Sequence, residues 1–386
     1  MNKGTHFIGQ PMYGQLIKLL SKEEILKFSR EHNGERYVKH FDAYQHLVIM
    51  LYAVIKRFDS LREITDSMFP EARKLAHLGI RTMPRRSTLS DANARRPEAV
   101  FEDTYRSLYV RYKDELSSDS RNRQVPSWLT RLQIIDSTTI TLFSNLIFKG
   151  VGRHPKTGKK KGGIKVHTNI HANEGVPSDI RFTSAATNDG FMLKPANYND
   201  GDIVAMDRAY IDYSKFEELT NRGVIYVTKM KKNLVYEVLS DMMYMSPCGL
   251  MEYRVQVVEF KKHIKDGENI RHKARIVTYV DLTKKKPKVI SLLTNDMDMD
   301  MEDIIAIYRK RWEIELLFKQ LKQNFPLRYF YGESANAIKI QIWVTLIANL
   351  LWSFSGLASM VRIMLMYYVN CYTFLEEPEK DWAEMV

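Results

Sequence analysis

Cysteine is almost absent: of 386 residues only Cys248 and Cys371 carry a thiol, far apart in the chain. That excludes a small fold stapled by disulfides and a thiolate zinc site, both of which need clustered cysteines. Proline (12) and glycine (18) are sparse, and no segment repeats, which excludes collagen-like, linker-dominated and repeat architectures. The start, Met1-Asn2-Lys3-Gly4, has no apolar run of the kind a signal peptide requires, so export is not expected. Acid is in deficit, with 46 Asp and Glu against 58 Lys and Arg, a formal charge of +12. Such an excess favours a polyanionic partner, either nucleic acid or an anionic membrane surface, and composition does not choose between them. One long stretch lacks charge altogether, Gln341 to Val361, and is long enough to span a bilayer. It carries Thr345, Asn349, Ser353, Ser355, Gly356 and Ser359, so buried core helices are the expectation.

What is present is apolar content of 45%, enough for sizeable cores and two or three domains. From Met12 to Arg123 apolar residues recur at helical intervals, in Tyr13–Leu20, Lys22–Glu31, Phe41–Arg57 and Ser60–Phe69, with Ser21 and Glu24 spaced as a capping box. Within this region Arg85-Arg86-Ser87-Thr88 opens a helix that continues through Asn93, Arg95 and Arg96. Arg86, Ser87, Asn93, Arg95 and Arg96 are of the types that read phosphates and base edges, and a solvated surface helix is the competing reading. A polar link, Ser117 to Ser127, then gives way to strand-like runs: Ile134-Ile135 closing on Asp136, Gly163–His171, Ser178–Ser184, and Ile203 to Met206 closing on Asp207. Val224–Thr228, Tyr253–Phe260, Ala274–Val280 and Lys288–Thr294 continue the β pattern. His167 and His171 share a strand face and are expected to be structural or to touch phosphate. The basic stretch Gly152–Gly163 misses the spacing of a nucleotide-binding phosphate loop and reads as a flexible hairpin.

The densest chemistry lies between Ile307 and Lys322. Tyr308, Arg311, Glu315 and Lys322 fall within about 60° of one another on a single helix, beside an apolar arc of Ile307, Ile314, Leu317, Phe318 and Leu321. A solvated salt-bridge face would have the same spacing. A lone glutamate does not cut a phosphodiester, and Asp136 and Asp207, each ending an apolar run, are the candidates to join it in holding hard divalent cations.

The spacing Tyr308, Arg311, Glu315, Lys322 resembles the YREK signature of a family of bacterial insertion-sequence transposases, and Asp136, Asp207 and Glu315 resemble its DDE triad. Ser60-Leu61-Arg62-Glu63-Ile64 and Arg86-Ser87-Thr88-Leu89 are similar to the family's amino-terminal domain. The resemblance implies a mixed α/β fold: an RNase H-like catalytic domain with a β-rich insertion, preceded by an all-helical domain. The boundaries expected are 1–123 helical and DNA-binding, 124–228 catalytic core, 229–301 insertion, 302–375 second part of the core, and 376–386 an acidic tail. It also implies an enzyme that binds the terminal inverted repeats of its element, cleaves there and joins 3′ ends to target DNA. Two Mg²⁺ (or Mn²⁺) ions would be held by Asp136, Asp207 and Glu315, while Tyr308, Arg311 and Lys322 would contact phosphates. Partners would be double-stranded DNA and further copies of the chain, a homodimer or more, in the cytoplasm and off the membrane. A nuclease on the same fold without joining, and a DNA-binding derivative with a dead site, are the alternatives.

Overall fold

β-branched and apolar runs separated by turns build one nine-stranded sheet, and amphipathic helices build a separate all-helical body. The computed structural model describes residues 12–70, 75–80, 82–116, 125–141, 163–246, 252–263, 269–281, 287–325 and 329–354. The chain divides into two units, residues 1–116 with 319–386, and residues 117–318.

The helical unit holds α1 (Met12–Lys18), α2 (Lys22–Glu31), α3 (Ala43–Lys56), α4 (Leu61–Met68), α5 (Arg86–Arg95), α6 (Ala99–Leu116) and, far along the chain, α10 (Ala335–Phe354). Asp42 caps α3 by accepting from the Gln45 amide at 2.8 Å, and Ser60 caps α4 by accepting from Glu63 at 3.2 Å. Ser21 caps α2 as its spacing predicts, but Glu24 turns away to Ser107 at 2.9 Å and so leaves the capping box half-closed. Helix α3 is buried from Ala43 to Ile55 except at Gln45, which is why its apolar residues run nearly all round it. Helix α10 packs on α3, α5 and α6, and its Trp343 indole donates to Glu98 at 3.0 Å. Among the described residues it is the one helix long and apolar enough to cross a membrane; most of its apolar window is buried inside the protein. The uncharged run is therefore a core helix through residue 354, and residues beyond lie outside the described ones. The sequence reading keeps 302–375 in one core segment, whereas the fold sends 319 onward into the helical unit. The apolar surface of α10 is consumed by α3, α5 and α6.

The second unit contains β1 (Leu132–Thr141), β2 (Gly163–His171), β3 (Pro177–Ser184), β4 (Ile203–Met206), α7 (Tyr213–Asn221), β5 (Ile225–Lys229), β6 (Glu237–Met245), β7 (Glu252–His263), β8 (Asn269–Asp281), β9 (Lys288–Thr294) and α8 (Met301–Lys310). Helix α9 (Trp312–Asn324) begins here. Strand order is β3-β2-β1-β4-β5-β9-β8-β7-β6. β1 is antiparallel to β2 and parallel to β4, and β4 is parallel to β5. An antiparallel start feeding parallel strands gives the RNase H-like order, as the resemblance implies. All four residues of β4 are buried, which explains its unbroken apolar sequence. The return from α7 to β5 turns at Gly223, where φ is +70° and a Cβ would collide with the Asp200 side chain. Phe216 of α7 stacks on Tyr226 of β5 with centroids 4.0 Å apart, and Tyr226, His272 and Glu217 form a hydrogen-bonded chain at 2.6 and 2.7 Å. Burial lowers the His272 pKa.

The β-rich insertion continues the catalytic sheet: β9 pairs antiparallel with β5, and β8, β7 and β6 follow outward. β6, which carries no clear alternation in the sequence, was not among the expected strands. The basic hairpin 152–162, most of the 117–127 link and the 376–386 tail fall outside the described residues.

Candidate active site

Strand register assembles the site. β1 and β4 run parallel with Ile135 opposite Met206, so one further step sets Asp136 beside Asp207. β4 and β5 run parallel with Met206 opposite Thr228, so the same step sets Asp207 beside Lys229. Asp136, Asp207 and Lys229 thus form a row across three neighbouring strands at the carboxyl end of β4 and β5, where sheets of this kind expose their sites. Asp207 is free of ladder pairing because the chain leaves β4 there, in extended conformation, to form the turn Arg208–Tyr210.

Glu315 arrives on α9. The single helix expected between Tyr308 and Lys322 is broken into α8 and α9 at Arg311, whose amide turns inward to Tyr308 and Arg309. Arg311 keeps right-handed helical angles, so Tyr308, Arg311 and Glu315 still face one way. Its guanidinium donates to Glu315 Oε1 at 2.6 Å and to Asp136 Oδ2 at 3.4 Å, and lies 5.5 Å from the centre of the Tyr308 ring. Its side chain is 11% exposed. Lys322 stands two turns further along α9 and is exposed, in the portion of that helix assigned to the helical unit.

The Asp136 carboxyl is pushed up to about 6, first by burial and then by the charges of Asp207 and Glu315, against the opposing pull of the Ser137 amide and of Arg311. Burial likewise raises the Tyr308 phenol, which stays protonated. Next to Asp136, Ser137 donates its hydroxyl to Asp189, and Lys165 donates to the same oxygen at 3.0 Å. His167 is buried, bonded to Thr183 at 2.8 Å, and held neutral with its pKa lowered to about 4 by burial and by Lys165. It is a structural histidine. The sequence reading missed Lys229, Asp189 and Lys165; Lys229 alone had a signal, as the polar residue closing the next apolar run after Asp207.

Three carboxylates are the donor chemistry that Mg²⁺ or Mn²⁺ prefers. Among the described residues, however, no three His, Cys, Asp or Glu side chains stand close enough to share one ion. Arg311 is the counter-cation of Asp136 and Glu315 in this conformation. The donors fit a divalent cation in kind.

Of the five DNA contacts expected in the helical unit, Arg86, Ser87 and Arg95 are exposed on α5. Asn93 and Arg96 are corrected: they are 0% and 4% exposed. Asn93 pairs with His46 at 2.8 Å and donates to the Tyr331 carbonyl at 3.3 Å, while Arg96 donates to the carbonyls of Gly34 at 3.3 Å and Phe41 at 2.8 Å. Both are spent holding the helical unit together.

Comparison with known proteins agrees with the mixed α/β fold. The family described as Transposase DDE domain matches residues 127–351, and a domain of unknown function, DUF4372, matches residues 8–81. The chain is 27% identical to a putative transposase, y4zB, of Sinorhizobium fredii over 273 residues, covering 69% of this chain and 70% of that one. It is 28% identical over 268 residues to a putative transposase for insertion sequence element IS4SA of Synechocystis, with 69% and 70% covered. A probable transposase for element IS5377 of Geobacillus stearothermophilus is 24% identical over 223 residues, with 57% and 55% covered. With more than half its length matched by that family, the chain belongs to the DDE transposases of insertion sequences.

Proposed function

We propose that the chain binds the terminal inverted repeats of its element, cleaves the DNA at their ends and joins the freed 3′ hydroxyls to target DNA. The observation that carries this reading is the convergence of Asp136 of β1 and Glu315 of α9 on Arg311, with Asp207 at the end of β4 beside Asp136. These three residues would hold two Mg²⁺ or Mn²⁺ ions, which when bound supply Lewis-acid activation of the attacking oxygen and stabilisation of the leaving one. Tyr308, Arg311, Lys229 and Lys322 are hydrogen-bond donors suited to phosphate oxygens, and Arg311 is already desolvated, which strengthens any charge-assisted bond it makes. Arg86, Ser87 and Arg95 on the exposed face of α5 would grip the duplex. Two copies or more would pair the element ends, in the cytoplasm and bound to DNA.

Glu315→Gln keeps the shape of the side chain and removes its charge. It is expected to abolish Mg²⁺-dependent cutting of a duplex bearing the flanking repeats while leaving end binding within about twofold, read by gel shift and by denaturing gel. A variant that still cuts would overturn the assignment of Glu315. Cutting without joined products would favour a nuclease, and binding by a wild-type chain that never cuts would favour a dead-site derivative.

A further inference from the structure

A cleft of about 1180 Å³ lies wholly within the helical unit, between the loop of residues 33–41 and α5 with the residues just before it. Six of its lining residues bear on what it holds: Arg36, Tyr37, Lys39, His40, Arg85 and Arg95. Asp91 is the one acidic residue on the lining, and Arg95 already pairs with it. Among the described residues no carboxylate pairs with Arg36, Lys39 or Arg85.

At the loop tip Tyr37 is 83% exposed and adopts φ +63°, a left-handed conformation that costs a bulky residue roughly 1–2 kcal/mol. The Arg36 guanidinium lies 5.0 Å from the centre of its ring and donates to its hydroxyl at 3.2 Å. The frame that holds this tip is buried. Arg96 bonds the carbonyls of Gly34 and Phe41, one on each side of the tip, and Glu35 accepts from Ser29 at 2.6 Å and from the Ala43 amide at 2.9 Å. A Cβ on Gly34 would meet Ser29 Oγ at 2.6 Å, so the loop can approach α2 this closely only with glycine there. A buried arginine thus sustains a strained, solvent-facing aromatic ring beside uncompensated cations, an arrangement with no folding advantage of its own.

We propose that this cleft extends the DNA-binding face of α5 onto the loop of residues 33–41, where Arg36, Lys39 and Arg85 take backbone phosphates and the Tyr37 ring packs against an unpaired base. Phosphate contacts by cations supply sequence-independent affinity, and an aromatic face adds stacking that tolerates any base. The inference rests on the DNA-binding part of the proposed function and gives a role to the segment matched by the domain of unknown function.

The test uses the full-length protein and a fluorescein-labelled duplex copied from the sequence flanking its gene and carrying a short single-stranded extension, titrated by anisotropy without divalent metal. Tyr37→Gly removes the ring and relieves the positive φ, so affinity is expected to fall about tenfold while the melting temperature stays level or rises. Tyr37→Phe should bind as wild type. Arg36→Ala with Lys39→Ala should lower the slope of log K against log[salt] by roughly 2. Wild-type affinity in Tyr37→Gly, or an unchanged slope in the double variant, overturns the proposal. A wild-type chain that binds but does not cut leaves the cleft to be judged on these affinities and counts only against the catalytic reading. A wild-type chain without affinity for this DNA overturns the cleft as well.

Discussion

Asp136 has a stability consequence because its carboxyl titrates at about 6 in the folded protein and near the ordinary carboxylate value when unfolded. Between about pH 4 and pH 6 the folded protein holds a proton that the unfolded chain releases, so stability falls as pH rises through this window. Above it the cost is about 3 kcal/mol. Asp136→Asn should therefore melt higher than wild type at neutral pH in EDTA, with the gap closing below about pH 4, because Glu315 still neutralises Arg311. A variant that melts lower at neutral pH would show that the Asp136–Arg311 contact outweighs the burial cost. Arg311→Ala should weaken end binding and reduce the salt slope by about 1; unchanged affinity and cutting would remove its phosphate role. Residue chemistry was partly legible in the sequence. Asp136, Asp207 and Glu315 each occupied a marked position, after an apolar run or on an amphipathic stripe. Asn93 and Arg96 misled because residue type does not report burial: an arginine bonded to carbonyls inside a fold has the same letter as one on a phosphate.

At the scale of elements, Gly223 sits where the return from α7 to β5 requires both a positive φ and room beside Asp200. Gly223→Ala should destabilise by about 2 kcal/mol or more, read as a lowered denaturant midpoint with an unchanged slope. β6 raises a different issue. It pairs with β7 alone among the described residues, and Leu239, Met242, Met243 and Met245 are exposed on its two faces. Such an edge invites self-association. Met243→Lys should reduce concentration-dependent light scattering without shifting the melting temperature, and a large shift would mean that Met243 is packed in the folded state. Periodicity located eight of the nine strands because each had apolar or β-branched runs bounded by turns. It missed β6 because a strand exposed on both faces has no alternation to display. It also drew one helix from Ile307 to Lys322, since the break at Arg311 leaves helical angles, and hence spacing, almost intact.

At the scale of the whole molecule, the net charge of +12 sets the expectation for non-specific DNA binding. Affinity for a random duplex should fall about a thousandfold or more between 50 and 200 mM salt, as measured by anisotropy. A flat dependence would mean that the positive charges are dispersed and not gathered into surfaces. By itself the sequence determined the composition class and the alternation of helical and β-rich regions, and it marked three candidate carboxylates, because periodicity and residue type are local properties. Only the tertiary structure decided that β9 joins the insertion to the catalytic sheet and that α10 belongs with the helices near the N-terminus. Only it set Lys229 in line with Asp136 and Asp207, and put Arg96 inside. These depend on which distant segments share a strand register or a packed face, and register and burial are settled by the competition among all segments for the same core.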